Sequence, residues 1–132
     1  MPPKPNPVGW FEVPTTDLGR AKAFYEQVFD TEISLHEVPG ADGQPVKMGW
    51  FPMEHPGSGA AGSLVEHPEY KPSADGVVVY FSVADIVGTL AKAEAAGGTT
   101  LVPETPIGEH GFFAWLSDTE GNRIALHRPP TP

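Results

Sequence analysis

The chain has 132 residues, no cysteine, and eight Lys and Arg against seventeen Asp and Glu, for a formal net charge of −9. That length fits one domain burying about two-thirds of the surface its unfolded chain exposes. Without cysteine there is no disulfide framework, thiolate zinc site, iron–sulfur cluster or cysteine nucleophile, and the acidity argues against a nucleic-acid groove or an anionic membrane surface as partner.

Val8 to Val13 is an apolar and aromatic run that Pro14 closes, and it reads as a strand. Asp17 caps a helix whose apolar residues Leu18, Ala21, Phe24, Tyr25 and Val28 fall at helical spacing and which ends near Asp30. Thr31 to Val38, Val46 to Phe51 and Ser63 to Val65 read as three more strands, the first two joined by the turn Pro39 to Gly43. Pro52 to Gly62 is irregular. His67 to Gly76 is ten residues of turn formers, which places a linker at about 67–75. Val77 to Val83 is then a strand, and Asp85 caps a helix carrying Ile86, Leu90 and Ala93 that Gly97-Gly98 closes. Thr99 to Val102 is a strand and Pro103 to His110 a loop. Phe112 to Leu116 and Arg123 to His127 are strands joined by the turn Asp118 to Asn122. No apolar run reaches the roughly 18 residues of a membrane span, and Met1-Pro2-Pro3-Lys4-Pro5 lacks the apolar core of a signal peptide, so a cytoplasmic protein is expected.

Each half therefore runs strand, helix, strand, strand, strand, and the capping residues Asp17 and Asp85 lie 68 residues apart. One half is too small to bury both its helix and its sheet; two side by side make a sheet with helices behind and a concave front. The stretches Gly9-Trp10-Phe11-Glu12-Val13-Pro14, Asp17 through Phe29, Val78 through Val83, Glu94 through Gly98, Pro103 through Gly108 and Asp118 through Ile124 resemble, in order and spacing, the vicinal oxygen chelate superfamily of glyoxalases, bleomycin-resistance proteins and extradiol dioxygenases. The resemblance covers about residues 8 to 128. It implies an α+β fold: two βαβββ modules, about 8–66 and 76–128 of a single domain spanning 1–132, forming a cupped, mostly antiparallel eight-stranded sheet with helices on the convex side. It also implies chemistry or drug binding inside the cup, and a homodimer. Enzymatic members hold a divalent metal there with His or Glu from the first and fourth strands of both modules, which stabilises developing oxyanion charge.

In the resemblance the first ligand lies seven residues before the capping Asp, which is Trp10 here. Its partners fall at Val78 and Ala125, with the fourth around Ser63 to Val65, where no carboxylate or imidazole stands. Indole, isopropyl and methyl groups have no lone pair for such a cation, so no cofactor is expected. Three of the five histidines sit in the dipeptides Glu54-His55, Glu66-His67 and Glu109-His110, whose neighbouring side chains diverge in a strand and are solvated in a loop.

Two residues along each strand from Trp10, Val78 and Ala125, the same face carries Glu12, Tyr80 and His127. That set reads either as an acid–base cluster with Glu12 or His127 moving a proton, or as core and strand-end residues. A weak divalent ion on Glu12 and His127 is the alternative, which would make the chain a glyoxalase-type lyase, isomerase or dioxygenase with a shifted site. Of Trp50, Phe51, Phe112, Phe113 and Trp115, half should face the cup and half the helices. Trp10, Trp50, Tyr80 and Trp115, with Glu12 and His127, are the expected ligand-binding residues of a metal-free protein that holds a small organic molecule. The segment Pro103 to His110 reads equally as a lid presenting Glu104, Glu109 and His110 or as a plain connection.

Overall fold

A computed structural model of the chain describes residues 6–54 and 59–130. His55 lies outside the described residues. The elements run β1 (Trp10–Thr15), α1 (Leu18–Phe29), β2 (Ser34–Pro39), β3 (Pro45–Trp50), β4 (Ala61–Glu66), β5 (Tyr80–Ser82), α2 (Ile86–Ala95), β6 (Thr99–Pro106), β7 (Phe112–Ser117) and β8 (Arg123–Arg128), with a short 3-10 turn at Gly108–His110. Both helices start at the expected caps: the Asp17 carboxylate accepts the Arg20 N–H and the Asp85 carboxylate accepts the Gly88 N–H. α1 ends on Asp30 in the left-handed conformation, φ 51°, and Gly97 at φ 104° turns the chain after α2.

The strands order β1-β4-β3-β2 and β5-β8-β7-β6. In each set the first pair is parallel and the other two are antiparallel. The fold is α+β, built of two βαβββ modules. The eight expected strands hydrogen-bond as two four-stranded sheets, and no ladder links β1 to β5. One core serves both: Phe24, Tyr25 and Val28 of α1 and Ile86, Leu90 and Ala93 of α2 pack with Val13, Leu64, Leu116, Ile124 and Leu126 from the two sheets. Both helices therefore cover the same side, and among the described residues the other face carries no helix. A Cβ at Gly62 would stand 2.5 Å from the Phe11 ring and carbonyl, so β4 needs glycine there to lie under that ring.

Several boundaries differ from the sequence reading, three of them with a clear physical reason. β1 continues through Pro14 to Thr15, because it is paired on one side only and the N–H that proline lacks is not needed at the open edge. β6 likewise runs through Pro103 to Pro106 with two register shifts, so much of the expected loop is an edge strand. β5 is three residues long, since Val77 at 93% exposed still belongs to the linker.

The modules are joined by the β7–β8 turn. The Tyr25 hydroxyl donates to Asp118 at 2.7 Å, and the Asn122 side-chain amide donates to the Pro14 carbonyl at 2.8 Å. Glu120 accepts from the backbone N–H groups of Thr16 and Asp17 and from the Arg20 guanidinium, the last at 2.7 Å. Burial alone would raise the Glu120 carboxyl, but these hydrogen bonds outweigh it and bring its pKa down to about 2. Burial and the Asp118 charge push the Tyr25 phenol well up. Among the described residues no helix is long and apolar enough to cross a membrane.

Candidate functional site

Side-chain alternation sorts the strands into two faces. Phe11 and Val13 of β1, Phe81 of β5, and Ile124 and Leu126 of β8 point into the helix-side core. Their neighbours Trp10, Glu12, Tyr80, Ala125 and His127 belong to the helix-free face. The aromatic pairs divide as expected: Phe51 and Phe112 pack on the helix-side core, while Trp50 joins Val46, Met48 and Val65 on the opposite face.

On the first module's wall Trp10 stands edge-on to Trp50, ring centres 6.2 Å apart, and the other side of Trp50 stacks on His36 at 3.8 Å. Glu12 is exposed, and its charge, with a hydrogen bond from the phenol, raises the pKa of Tyr70, which the linker brings over from outside the sheet. On the second module's wall the Trp115 indole N–H donates to the Tyr80 hydroxyl at 3.1 Å. The Arg123 guanidinium lies over the Trp115 ring, 4.9 Å from its centre, and Phe113 packs edge-on to the same indole.

Between β1 and β5 runs a cavity of about 770 Å³ lined by Val8, Trp10, Glu12, Val78, Tyr80 and Ser82 among others. It brings Trp10, Glu12 and Tyr80 together. His127 is held elsewhere: its Nε2 lies 2.7 Å from the His110 carbonyl. Glu12 and His127 thus have separate partners, the first Tyr70 and the second the backbone of the 3-10 turn.

The side chains expected in a lid are also accounted for. Glu104 binds Arg128 at 3.0 Å, so it is not turned toward a ligand, and Glu109 and His110 remain exposed, 3.9 Å apart. Of the Glu-His dipeptides, Glu66 accepts the Leu18 N–H at the start of α1 and His67 accepts the Glu69 N–H, both structural tasks.

The register identifies the fourth ligand position of the family pattern. Tyr80 pairs with Ala125, and Glu12, 68 residues before Tyr80, pairs with Ser63. Ser63 therefore takes on β4 the place of Ala125 on β8. The four positions hold an indole, an isopropyl, a methyl and a hydroxyl group, which do not fit a divalent cation. Among the described residues no three His, Asp or Glu side chains gather in a metal-binding group. Ser63 is fully buried, and its hydroxyl and the buried Trp50 indole N–H beside it have no hydrogen-bond partner among the described residues.

The model of the Glyoxalase/Bleomycin resistance protein/Dioxygenase superfamily matches residues 8–126. The chain belongs to that superfamily. It is 25% identical over 119 residues, 89% of its own length, to the Mycobacterium bovis protein named "Putative glyoxylase CFP32", and equally to its Mycobacterium tuberculosis counterpart. It spans 43% of the length of those relatives, less than half. Among solved structures it resembles a glyoxalase family protein from Bacillus cereus (TM-score 0.69, 16% identity, 94% of each chain). It is also similar to a glyoxalase/bleomycin resistance protein from Albidiferax ferrireducens T118 (0.68, 17%, 93% of this chain and 98% of that one). A glyoxalase I mutant from Zea mays (0.66, 17%) is covered over 46% of its chain by 92% of this one. These likenesses establish the fold.

Sequence reasoning did not single out His36, Tyr70 or Arg123, and placed the fourth ligand position only within Ser63 to Val65. Strand parity was the signal for Arg123, two residues before Ala125 on the same face. Tyr70 offered none, because only the path of the linker sets it beside Glu12.

Proposed function

We propose that this superfamily member binds a small, flat, largely apolar organic molecule in the cavity between β1 and β5, without the divalent ion its enzymatic relatives hold. The observation carrying this reading is the donor set: Trp10, Val78, Ala125 and Ser63 stand at the ligand positions, and Trp10 and Tyr80 replace coordination with aromatic surface. The competing reading, a lyase, isomerase or dioxygenase with a shifted metal on Glu12 and His127, draws no support from the geometry, since Glu12 faces the cavity beside Tyr70 while the His127 ring lies against the His110 carbonyl.

The test combines metal analysis with binding of a neutral flat probe, 2-naphthamide, by isothermal titration. Purified protein should carry well under one equivalent of Zn, Ni, Mn or Fe, and a chelator should leave its unfolding midpoint unchanged. Trp10→Ala should weaken the probe about tenfold, as loss of an aromatic anchor does. One equivalent of metal, lost with Glu12→Ala, would overturn the reading and make the enzyme the leading hypothesis.

We infer further that the chain is one domain, modules 8–66 and 76–128, acting as a cytoplasmic homodimer. The outer strands β2 and β6 present exposed Leu35 and Leu101 on unpaired edges, which a second copy would cover. Light scattering should give twice the chain mass; the mass of one chain across a wide concentration range would reject the dimer.

A further inference from the structure

We propose that Arg123, stacked on Trp115 beside the Tyr80 hydroxyl, forms a carboxylate-binding subsite on the second module's wall, so that the molecule held here is a flat carboxylic acid. This rests on the cavity reading above and adds the chemical class of the ligand.

The chain has seventeen acidic against eight basic side chains, so a basic group that needs a carboxylate has many to choose from. Of its three arginines, Arg20 holds Glu120 and Arg128 holds Glu104. Arg123 has no carboxylate partner among the described residues. Glu12, the acid of the adjoining cavity, makes no ion pair with Arg123 among the described residues; its charge acts on Tyr70 instead.

The guanidinium is nevertheless fixed. It lies over the Trp115 ring, its Nη2 donates to the Gly76 carbonyl at 3.3 Å, and its Nε is buried without a partner among the described residues. A planar cation held against an indole keeps its charge and its outer N–H groups while losing its freedom, which is the arrangement that recognises a carboxylate at low entropic cost.

Tyr80 supplies the second donor. Its oxygen accepts the Trp115 indole N–H, so the phenolic proton is free to point outward. Arg123 and Tyr80 thus touch the same indole, one over its face and one at its nitrogen. Tyr80 is 49% exposed and lines the cavity, as does Trp10. The aromatic surfaces receive the body of the ligand; Arg123 and Tyr80 receive its carboxylate. The bulk charge of −9 slows an anion's approach but is screened beyond about one Debye length, whereas the contact with Arg123 is not.

The isosteric probes 2-naphthoate and 2-naphthamide differ only in this group, and 2-naphthylmethylamine supplies the opposite charge. By titration, naphthoate should bind about tenfold or more tightly than naphthamide, as a charge-assisted hydrogen bond predicts, and the amine weakest. Arg123→Gln should abolish the preference, bringing naphthoate affinity down to that of naphthamide; Tyr80→Phe should reduce the preference several-fold. Arg123→Lys, which keeps the tie to the linker and the charge but not the planar stack, should retain only part of it. Equal affinities of wild-type protein for naphthoate and naphthamide, a preference that survives Arg123→Gln, or tightest binding of the amine would each overturn the carboxylate subsite while leaving the cavity reading intact. Failure of all three probes to bind would remove both. Should Arg123→Gln not fold, Arg123→Lys decides the matter together with the wild-type comparison: a preference undiminished in that variant overturns the subsite.

Discussion

At the β7–β8 turn, on the helix side, the buried side chains of Asp118, Glu120 and Asn122 all have hydrogen-bond partners. Asp118 is 4% exposed and accepts from Tyr25, from the backbone of Glu120 and from the backbone and amide of Asn122. On the helix-free face the pattern reverses. The Ser63 hydroxyl and Trp50 indole N–H are buried and unpartnered, Arg123 lacks a counter-ion among the described residues, and Trp10 and Tyr80 remain substantially exposed. A protein that can satisfy a carboxylate so fully in one place has left donors idle in another. The first region holds two modules together, and the second leaves donors available for the ligand proposed above, a division between scaffold and proposed site.

The comparison is broken most forcefully at Asp118. Asp118→Ala would leave the Tyr25 hydroxyl and the Asn122 amide buried with a partner gone, and should cost about 3 kcal/mol in urea unfolding. Tyr25→Phe should cost about 1 kcal/mol, because Asp118 keeps its other donors. A double-mutant cycle gives the coupling, and additivity of the two changes would show that the hydrogen bond is not what joins α1 to the turn.

Glu120 gives the next effect and a pH signature. Its folded pKa, about 2, lies below the ordinary 4.5, so the stability it contributes is complete above about pH 4.5 and is lost as pH falls toward 2. Glu120→Gln should cost about 2 kcal/mol at pH 7, a figure reduced because the Arg20 partner is half exposed and screened, and should flatten the acid limb of the stability profile. An unchanged acid limb in the variant would assign that limb to other carboxylates. Glu26, lowered by the Ile33 N–H and by Lys22, is the obvious other contributor and shifts in the same direction.

Much of this contrast was legible in the sequence, and the illegible part has a common cause. The capping residues Asp17 and Asp85, the helical spacing behind them and the repeat of element order are local signals, and the helices start where those signals say. Period-two alternation sorted Trp10 and Glu12 from Phe11 and Val13 and put Ala125 and His127 on one face. What failed needed knowledge of neighbours. Pro14 and Pro103 look like strand ends until β1 and β6 are seen to have unpaired edges. Glu104 looks available until Arg128, 24 residues away, takes it. Asp118 to Asn122 is a turn by composition, as expected, but nothing near it announces that Tyr25 lies 93 residues back in the chain and inside hydrogen-bonding reach.

On the helix-free face the effects on stability should be smaller than on binding. Trp10 is 39% exposed, so Trp10→Ala should shift the unfolding free energy by no more than about 1 kcal/mol while weakening the neutral probe about tenfold. A loss of several kcal/mol would place Trp10 in the core and remove it from the ligand wall.

The smallest expected effect is also the one whose sign separates the two regions. Ser63 is buried opposite Glu12 and beside Trp50, with no acceptor for its hydroxyl among the described residues. A buried hydroxyl without a hydrogen bond costs about 1–3 kcal/mol in desolvation, and alanine removes that cost while leaving a void little larger than one oxygen. Ser63→Ala should therefore be neutral or stabilising by up to about 1 kcal/mol in the ligand-free protein, whereas removing a polar group at the β7–β8 turn destabilises. Binding of 2-naphthoate should then report whether the hydroxyl has a use: a weaker affinity in the more stable variant is the expected trade between stability and function. Should Ser63→Ala instead destabilise the ligand-free protein by 1 kcal/mol or more, as loss of a made hydrogen bond would, the hydroxyl is satisfied in solution and the asymmetry between the two faces rests on Trp50 and Arg123 alone.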